Sequence, residues 1–459
     1  MNKKWLWLST MALTLGLAAC GNTEGTTESQ ESSASPETSE TTESSTATSG
    51  EQVTLKVAAL ESGYGAEMWQ KVAEAYEAAN ENVTVELTTE KNLEQVIRPN
   101  MQAGEYPDIV LLATGREEAL TETLIKEKGL AEITDVFEMN VYGEDVTVGD
   151  KLLDGFTDTL ATNPYGDGVT YLAPMFYSPT GLFYNEALLA EKGWEVPTTW
   201  DGMWELGDKA KDEGIALFTY PTSGYFDTFF GAMMYASGGS EFFERAMTYE
   251  DGIWESEEAS QVFDTVGKLG EYAEPTTVAN ANPNDFTRNQ QLVLDNKALF
   301  MPNGTWVVGE MAEAPRADGF EWGMTAVPGY EDGSDVYSFT FFEQLWIPAQ
   351  AQNIDAAKEF MTYVYSDEAA EIFMGSGAMQ PIDGMVDMMA EDSKLFYSIY
   401  EEGALPAMGS FAATTPVPGV NMYDTLYATI DSVMSGDTSV EDWQSQVEAA
   451  SDQLRGAME

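Results

Sequence analysis

Between Val53 and Ala113 the chain alternates strand and helix patterns, and this alternation limits its possible folds more than any other feature. VTLKVAAL (Val53–Leu60) reads as a strand, and SGYG breaks it. AEMWQKVAEAYEAANEN then places Met68, Trp69, Val72, Ala73 and Tyr76 on one helical face, with Asn80 and Asn82 suited to its end. VTVELTT (Val83–Thr89) reads as a second strand. LEQVIRPNMQAGEY reads as a helical stretch interrupted near Pro99, and PDIVLLA supplies a third strand over Asp108–Ala113. Strand, helix, strand, helix, strand predicts an α/β layout with a largely parallel sheet. Ligands of such sheets sit beyond the carboxyl ends of the strands. Here those ends carry Glu61 to Tyr64 and Thr114 to Arg116.

The 409 residues after Gly50 suffice for two domains with their own cores. Thr199–Ile215 starts like a capped helix, and Trp322–Gly329 reads as a short strand running into a turn. Asn353–Met374 has the apolar spacing of one or two helices, and a last helix is expected from about Val440. There is no tandem repeat and no GxxxxGK[ST] phosphate loop.

The first residues, MNKKWLWLSTMALTLGLAAC, hold two lysines and then an apolar stretch from Trp5 to Ala19. That stretch is shorter than the ~20 residues of a spanning helix and fits the apolar core of an export signal. Leu17-Ala18-Ala19-Cys20-Gly21 resembles the lipobox of bacterial lipoproteins, in which cleavage leaves the cysteine first and lipidated. Cys20 is the only cysteine, so no intrachain disulfide competes for it. Asn22–Gly50 contains eight Ser, eight Thr and six Glu among 29 residues, with no Lys, Arg or aromatic side chain. Such a tract cannot bury enough apolar area to offset its ordering entropy, and is expected to be a disordered acidic spacer.

A net charge of −57 repels nucleic acid and anionic lipid head groups. Histidine is absent, which excludes histidine-based triads, zincin motifs and cysteine–histidine catalysis. Catalysis by carboxylates alone stays open. No metal or other cofactor is expected.

Lipobox, spacer and strand–helix start together resemble the extracellular solute-binding lipoproteins of ABC importers. YSPTGLFYN followed by PTTWD, within Tyr171–Ile215, is similar to their carbohydrate-binding branch, the family 1 solute-binding proteins. NKALFMPNGTWVVGEM (Asn296–Met311) and EQLWIPAQAQNIDAAKEFMTYVYSDEAAEIF (Glu343–Phe373) extend the resemblance over nearly all of the chain after Gly50. TYPTSGYFDTFFGAMMYASGG (Thr219–Gly239) resembles members assigned to N-acetylglucosamine or chitobiose uptake.

The resemblance implies an α/β fold of two lobes, periplasmic-binding-protein-like, with a hinged cleft between them. It implies a signal peptide over 1–20, a spacer over 21–50, lobe one over 51–161 and 344–372, and lobe two over 162–343 and 373–459. It implies a non-catalytic monomer, lipid-anchored at Cys20 on the outer side of the cell membrane. This monomer would capture a mono- or oligosaccharide and deliver it to a membrane permease. The competing expectations are an exported carboxylate-based glycosidase and a binding protein for a non-carbohydrate solute.

A sugar needs flat aromatic surfaces for its C–H faces and carboxylates, amides or cations for its hydroxyl edges. Trp306, after the turn residues Pro302, Asn303 and Gly304, is a candidate platform or a core tryptophan. Asn303 either bridges hydroxyls or shapes the turn. In GYFDTFF, Tyr225 and Asp227 share a face if the segment is extended, while Phe229 and Phe230 read as core. Glu61 and Tyr64 flank the first strand–helix turn. Arg116 meets either a hydroxyl or an internal acid. Tyr177 and Glu343 lie near the expected crossings between lobes. Trp194, Trp200 and Trp204 read as surface or packing residues.

Overall fold

The computed structural model describes residues 52–458, apart from 63, 115, 117, 158, 390 and 413. The expected signal peptide, the spacer and Cys20 lie outside the described residues. Among these, no helix is long and apolar enough to cross a membrane.

The opening alternation forms as expected. β1 (Val53–Leu60) pairs in parallel with β2 (Val83–Glu90) on one side and β3 (Ile109–Leu111) on the other. Helix α1 (Glu67–Ala79) buries Met68, Trp69, Val72, Ala73 and Tyr76, the face predicted by spacing. Helix α2 (Leu93–Gln102) runs through Pro99 without the expected interruption. Pro99 and Gln95, whose carbonyl loses its helical donor, are both exposed, so water can satisfy the freed oxygen. The third strand is shorter than expected. Asp108, just before the strand, donates its backbone N–H to the Lys56 carbonyl (2.8 Å), and its buried carboxylate accepts from the backbone N–H groups of Lys56 (2.9 Å), Gln352 (3.1 Å) and Asn353 (2.9 Å), and from Asn353 Nδ2 (3.1 Å).

The sheet then receives two long strands from distant parts of the chain. β4 (Ala173–Asn185) lies antiparallel to β8 (Tyr337–Trp346), and β8 pairs with β3 through Val110↔Trp346 and Leu111↔Leu345. At Thr180, β4 passes to new partners: β6 (Ala298–Gly304) on one side and β7 (Trp322–Thr325) on the other. Gly181 permits this switch, because a Cβ there would lie 2.5 Å from the Thr325 carbonyl oxygen. β5 (Ala216–Phe218) extends the path beside β6, and β9 (Leu405–Ala407) pairs with the start of β8. The order is β2-β1-β3-β8-β4-β6-β5.

Two large buried clusters flank this path. One contains Trp69, Phe176, Phe360 and Phe373, and reaches Phe183 and Met301. The other contains Phe218, Phe230, Trp254 and Trp443. Trp200 and Trp204 pack there as a stacked pair with centroids 5.3 Å apart. The helix start at Thr199 is capped as expected, its Oγ1 accepting from Gly202, and Ser366 Oγ, accepting from Ala369, caps the second of two helices, Ile354–Val364 and Asp367–Met374. The C-terminal helix runs from Val440 to Arg455. The result is a two-domain α/β fold with β4 and β8 as crossing strands.

Candidate functional site in the cleft

The site is built around β8. Its sequence YSFTFFEQLW alternates, so Phe339, Phe341 and Glu343 share one face. Phe341 is 45% exposed, far more than an aromatic residue in mid-strand usually is. Two cavities meet at this strand. The first chamber, about 390 Å³, is lined by Asp227, Phe243, Phe339, Phe341, Glu343 and Tyr423 among others. The second, about 830 Å³, takes in Tyr64, Trp306, Glu343, Phe396, Tyr397 and a group of methionines. Both fall in the size range of small-molecule sites.

Trp306 follows β6 and is half-buried. Its ring lies 5.5 Å from Phe341 and 6.4 Å from Tyr225. Gly304 allows this orientation, because a Cβ at that position would overlap the indole. The segment GYFDTFF is not extended. It forms a 3-10 turn, Ser223–Tyr225, followed by helical chain from Phe226 to Met247 that is kinked at Gly239. Asp227 still lines the first chamber, while Tyr225 lines neither chamber and packs near Trp306. Phe229 and Phe230 are core residues as expected.

Two acids line the first chamber. Burial raises Asp227 to about 6, against hydrogen bonds from the Thr228 N–H (2.6 Å) and the Tyr423 hydroxyl (3.3 Å). Burial raises Glu343 to about 7, against the lowering influence of the Ser62 hydroxyl and the Arg116 guanidinium. Ser62 lies beside the carboxyl, yet neither its Oγ nor Glu343 Oε2 makes a hydrogen bond of good geometry. Glu343 therefore presents an unpartnered oxygen at the junction of the two chambers.

A pH dependence follows. The native Glu343 carboxyl keeps its proton to about pH 7, while the ordinary value is 4.5. The folded state binds more protons between those values, so this group makes stability fall as pH rises through that window. Glu343→Gln removes the effect. Its unfolding temperature relative to wild type is expected to rise steadily between pH 4.5 and 7.5, and thermal scans of the ligand-free proteins across that range check it.

The other sequence candidates are engaged with partners inside the protein, although Arg116 stays close enough to Glu343 to lower its pKa. Glu61 pairs with Lys91 at 3.6 Å. Arg116 Nε donates to Glu94 Oε2 at 3.0 Å, the internal acid anticipated as its alternative partner. Tyr177 is inside the core, its ring packed on Phe156 (5.2 Å), Tyr397 (5.1 Å) and Tyr400 (6.0 Å). Asn303 is buried, with Oδ1 accepting from the Gly304 N–H at 2.9 Å, so it shapes the turn. Sequence reasoning missed Phe341, Tyr423 and the methionines of the second chamber. Phe341 was signalled by its two-residue spacing from Glu343. The methionines were signalled by their density, five between 374 and 389. No acidic cluster among the described residues is arranged to hold a metal ion.

Two α/β domains tied by crossing strands, with an aromatic and carboxylate cavity beside those strands, define a binding protein of the hinged periplasmic type. The chain belongs to the bacterial extracellular solute-binding proteins, whose family description matches residues 71–394. Members of this family bind solutes for transport without chemistry, so the protein is not an enzyme and the glycosidase alternative falls. It is 24% identical over 329 residues to the diacetylchitobiose binding protein NgcE of Streptomyces coelicolor, covering 70% of this chain and 67% of that protein. It is also 24% identical over 305 residues to a maltotriose-binding protein of Pyrococcus abyssi, covering 65% of this chain and 59% of that one. The matches span about half to two thirds of the length of such curated relatives. Among solved structures, the solute receptor AcbH shares the fold with a TM-score of 0.69 at 18% identity, over 88% of this chain and 99% of that one.

Proposed function

We propose that the protein captures a mono- or oligosaccharide in the cleft and delivers it to the permease of an ABC importer. The observation that carries this reading is the Trp306–Phe341 aromatic wall beside the buried carboxyls of Glu343 and Asp227. Aromatic faces accept the C–H side of a pyranose, and the carboxyls accept or donate hydrogen bonds to hydroxyls. N-acetylglucosamine or chitobiose is the first ligand to try, supported by the Thr219–Gly239 resemblance and by the relative that binds diacetylchitobiose. Tyr64, Tyr225, Asp227, Trp306 and Glu343 would form the contact set, joined by Phe341.

In this reading, lobe one spans 51–161 and 344–372, and lobe two spans 162–343 and 373–459. They close on the sugar by bending β4 and β8, and ligand binding selects the closed form. The protein acts as a monomer. Lipid on Cys20 holds it at the outer face of the membrane, where the acidic spacer gives it reach.

The test is thermal unfolding of residues 51–459, which form one compact unit. N-acetylglucosamine, chitobiose, maltose, xylobiose, cellobiose and a tripeptide are added in turn. A ligand of the native state at about 100 times its Kd stabilises by about 2.7 kcal/mol, a readable rise in unfolding temperature. A rise with one sugar, recovered intact, is the expected result. A rise with the tripeptide alone would replace the carbohydrate reading with peptide binding.

A further inference from the structure

The second chamber does not look like a place for another hydroxylated ring. Met374, Met379, Met388 and Met389 line it, with Phe396 and Val308. Met388 is 47% exposed, so its thioether is open to a molecule entering the chamber. Ser178 lies beside the phenols of Tyr64 and Tyr397, Tyr397 donates to the Tyr177 carbonyl at 3.3 Å, and Thr305, Glu371 and Ser393 complete the polar part of the lining. Glu343 lines both chambers, and its Oε2 and the neighbouring Ser62 Oγ are buried without a hydrogen bond of good geometry. Along the methionine wall a second sugar ring would set hydroxyls against thioether and phenyl groups, leaving those hydroxyls unpaired. Unbranched thioethers adapt to apolar groups of varied shape.

We infer that this chamber is a subsite for an apolar substituent carried by the sugar, an alkyl or aryl aglycone or an acyl chain. The substituent enters past the Trp306–Phe341 pair while the ring stays against those aromatic faces. Glu343 sits where ring and substituent join and takes the single polar group at that junction. This inference rests on the carbohydrate reading above and narrows its substrate class. The cleft then selects glycosides or acylated sugars over bare, longer oligosaccharides.

The experiment is calorimetric titration of residues 51–459 with the methyl, propyl and pentyl β-glycosides of N-acetylglucosamine, glucose and galactose. Within a series that binds, affinity should rise about three- to fourfold per added methylene, the gain from moving each from water into an apolar site. The double variant Met388→Gln/Met389→Gln should cut that gain below about twofold per methylene, since its amides need hydrogen-bond partners that an alkyl chain lacks. Equal affinities along a binding series would overturn the inference and leave the carbohydrate reading standing. An undiminished gain in the double variant would overturn it as well. Failure of all three methyl glycosides to bind would overturn the carbohydrate reading, and this inference with it.

Discussion

Trp306→Ala should weaken binding of the cognate sugar by about 100-fold, on the order of 2–3 kcal/mol, the loss typical of a central aromatic anchor. The indole is held between Phe341, 5.5 Å away, and Tyr225, 6.4 Å away, so it presents a fixed face rather than a mobile one. A ring stacked there loses water from both surfaces without ordering a flexible side chain. Because Trp306 is only half-buried, its removal should change the unfolding temperature little. Phe341→Ala should cost less, and the double variant should cost less than the sum, since the two rings support one another. Calorimetry on the three variants checks all of this. An unchanged affinity in Trp306→Ala would remove the platform from the site.

Asp108→Ala should have the largest effect on stability. This carboxylate accepts hydrogen bonds from three backbone N–H groups, of Lys56, Gln352 and Asn353, and from the Asn353 side chain. It therefore fastens β1 to the chain that follows β8. Alanine would leave the three backbone donors without their acceptor in a site where Asp108 is 1% exposed. Each unpaired buried donor costs about 1–3 kcal/mol. Partial access of water brings the total to roughly 4 kcal/mol, or a fall on the order of 5–10 °C in unfolding temperature. Thermal scans read it directly. Sugar affinity of the variant, measured well below its unfolding temperature, should stay near wild type, because Asp108 touches neither chamber.

What could be read in the sequence followed from local pattern. The buried face of α1, the cap at Thr199 and the helical spacing over 353–374 depend on neighbours three or four residues away. They were legible for that reason. The contrast within the site has the same cause. Trp306 borders a strand whose turn residues mark a cleft, and Glu343 lies on an alternating strand. Arg116 and Tyr177 looked equally suitable, but their partners are remote. Glu94 is 22 residues before Arg116 and on the inner face of α2, and Tyr397 is 220 residues after Tyr177. No local pattern distinguishes a tyrosine that faces a cavity from one that fills a core. Pro99 misled for a related reason: its effect on a helix depends on whether the orphaned carbonyl meets water, which is decided by tertiary placement.

The strand order sets a schedule for folding. β8 stands between β3 and β4, yet it is made more than 220 residues after β3. A chain emerging end first can pair β1, β2 and β3, but the far edge of β3 has no partner until Leu345 and Trp346 arrive. The amide donors from Gln352 and Asn353 that fill Asp108 arrive later still. Contacts this distant in sequence slow the formation of the native state. One edge of β3 therefore stays open until most of the chain has been made.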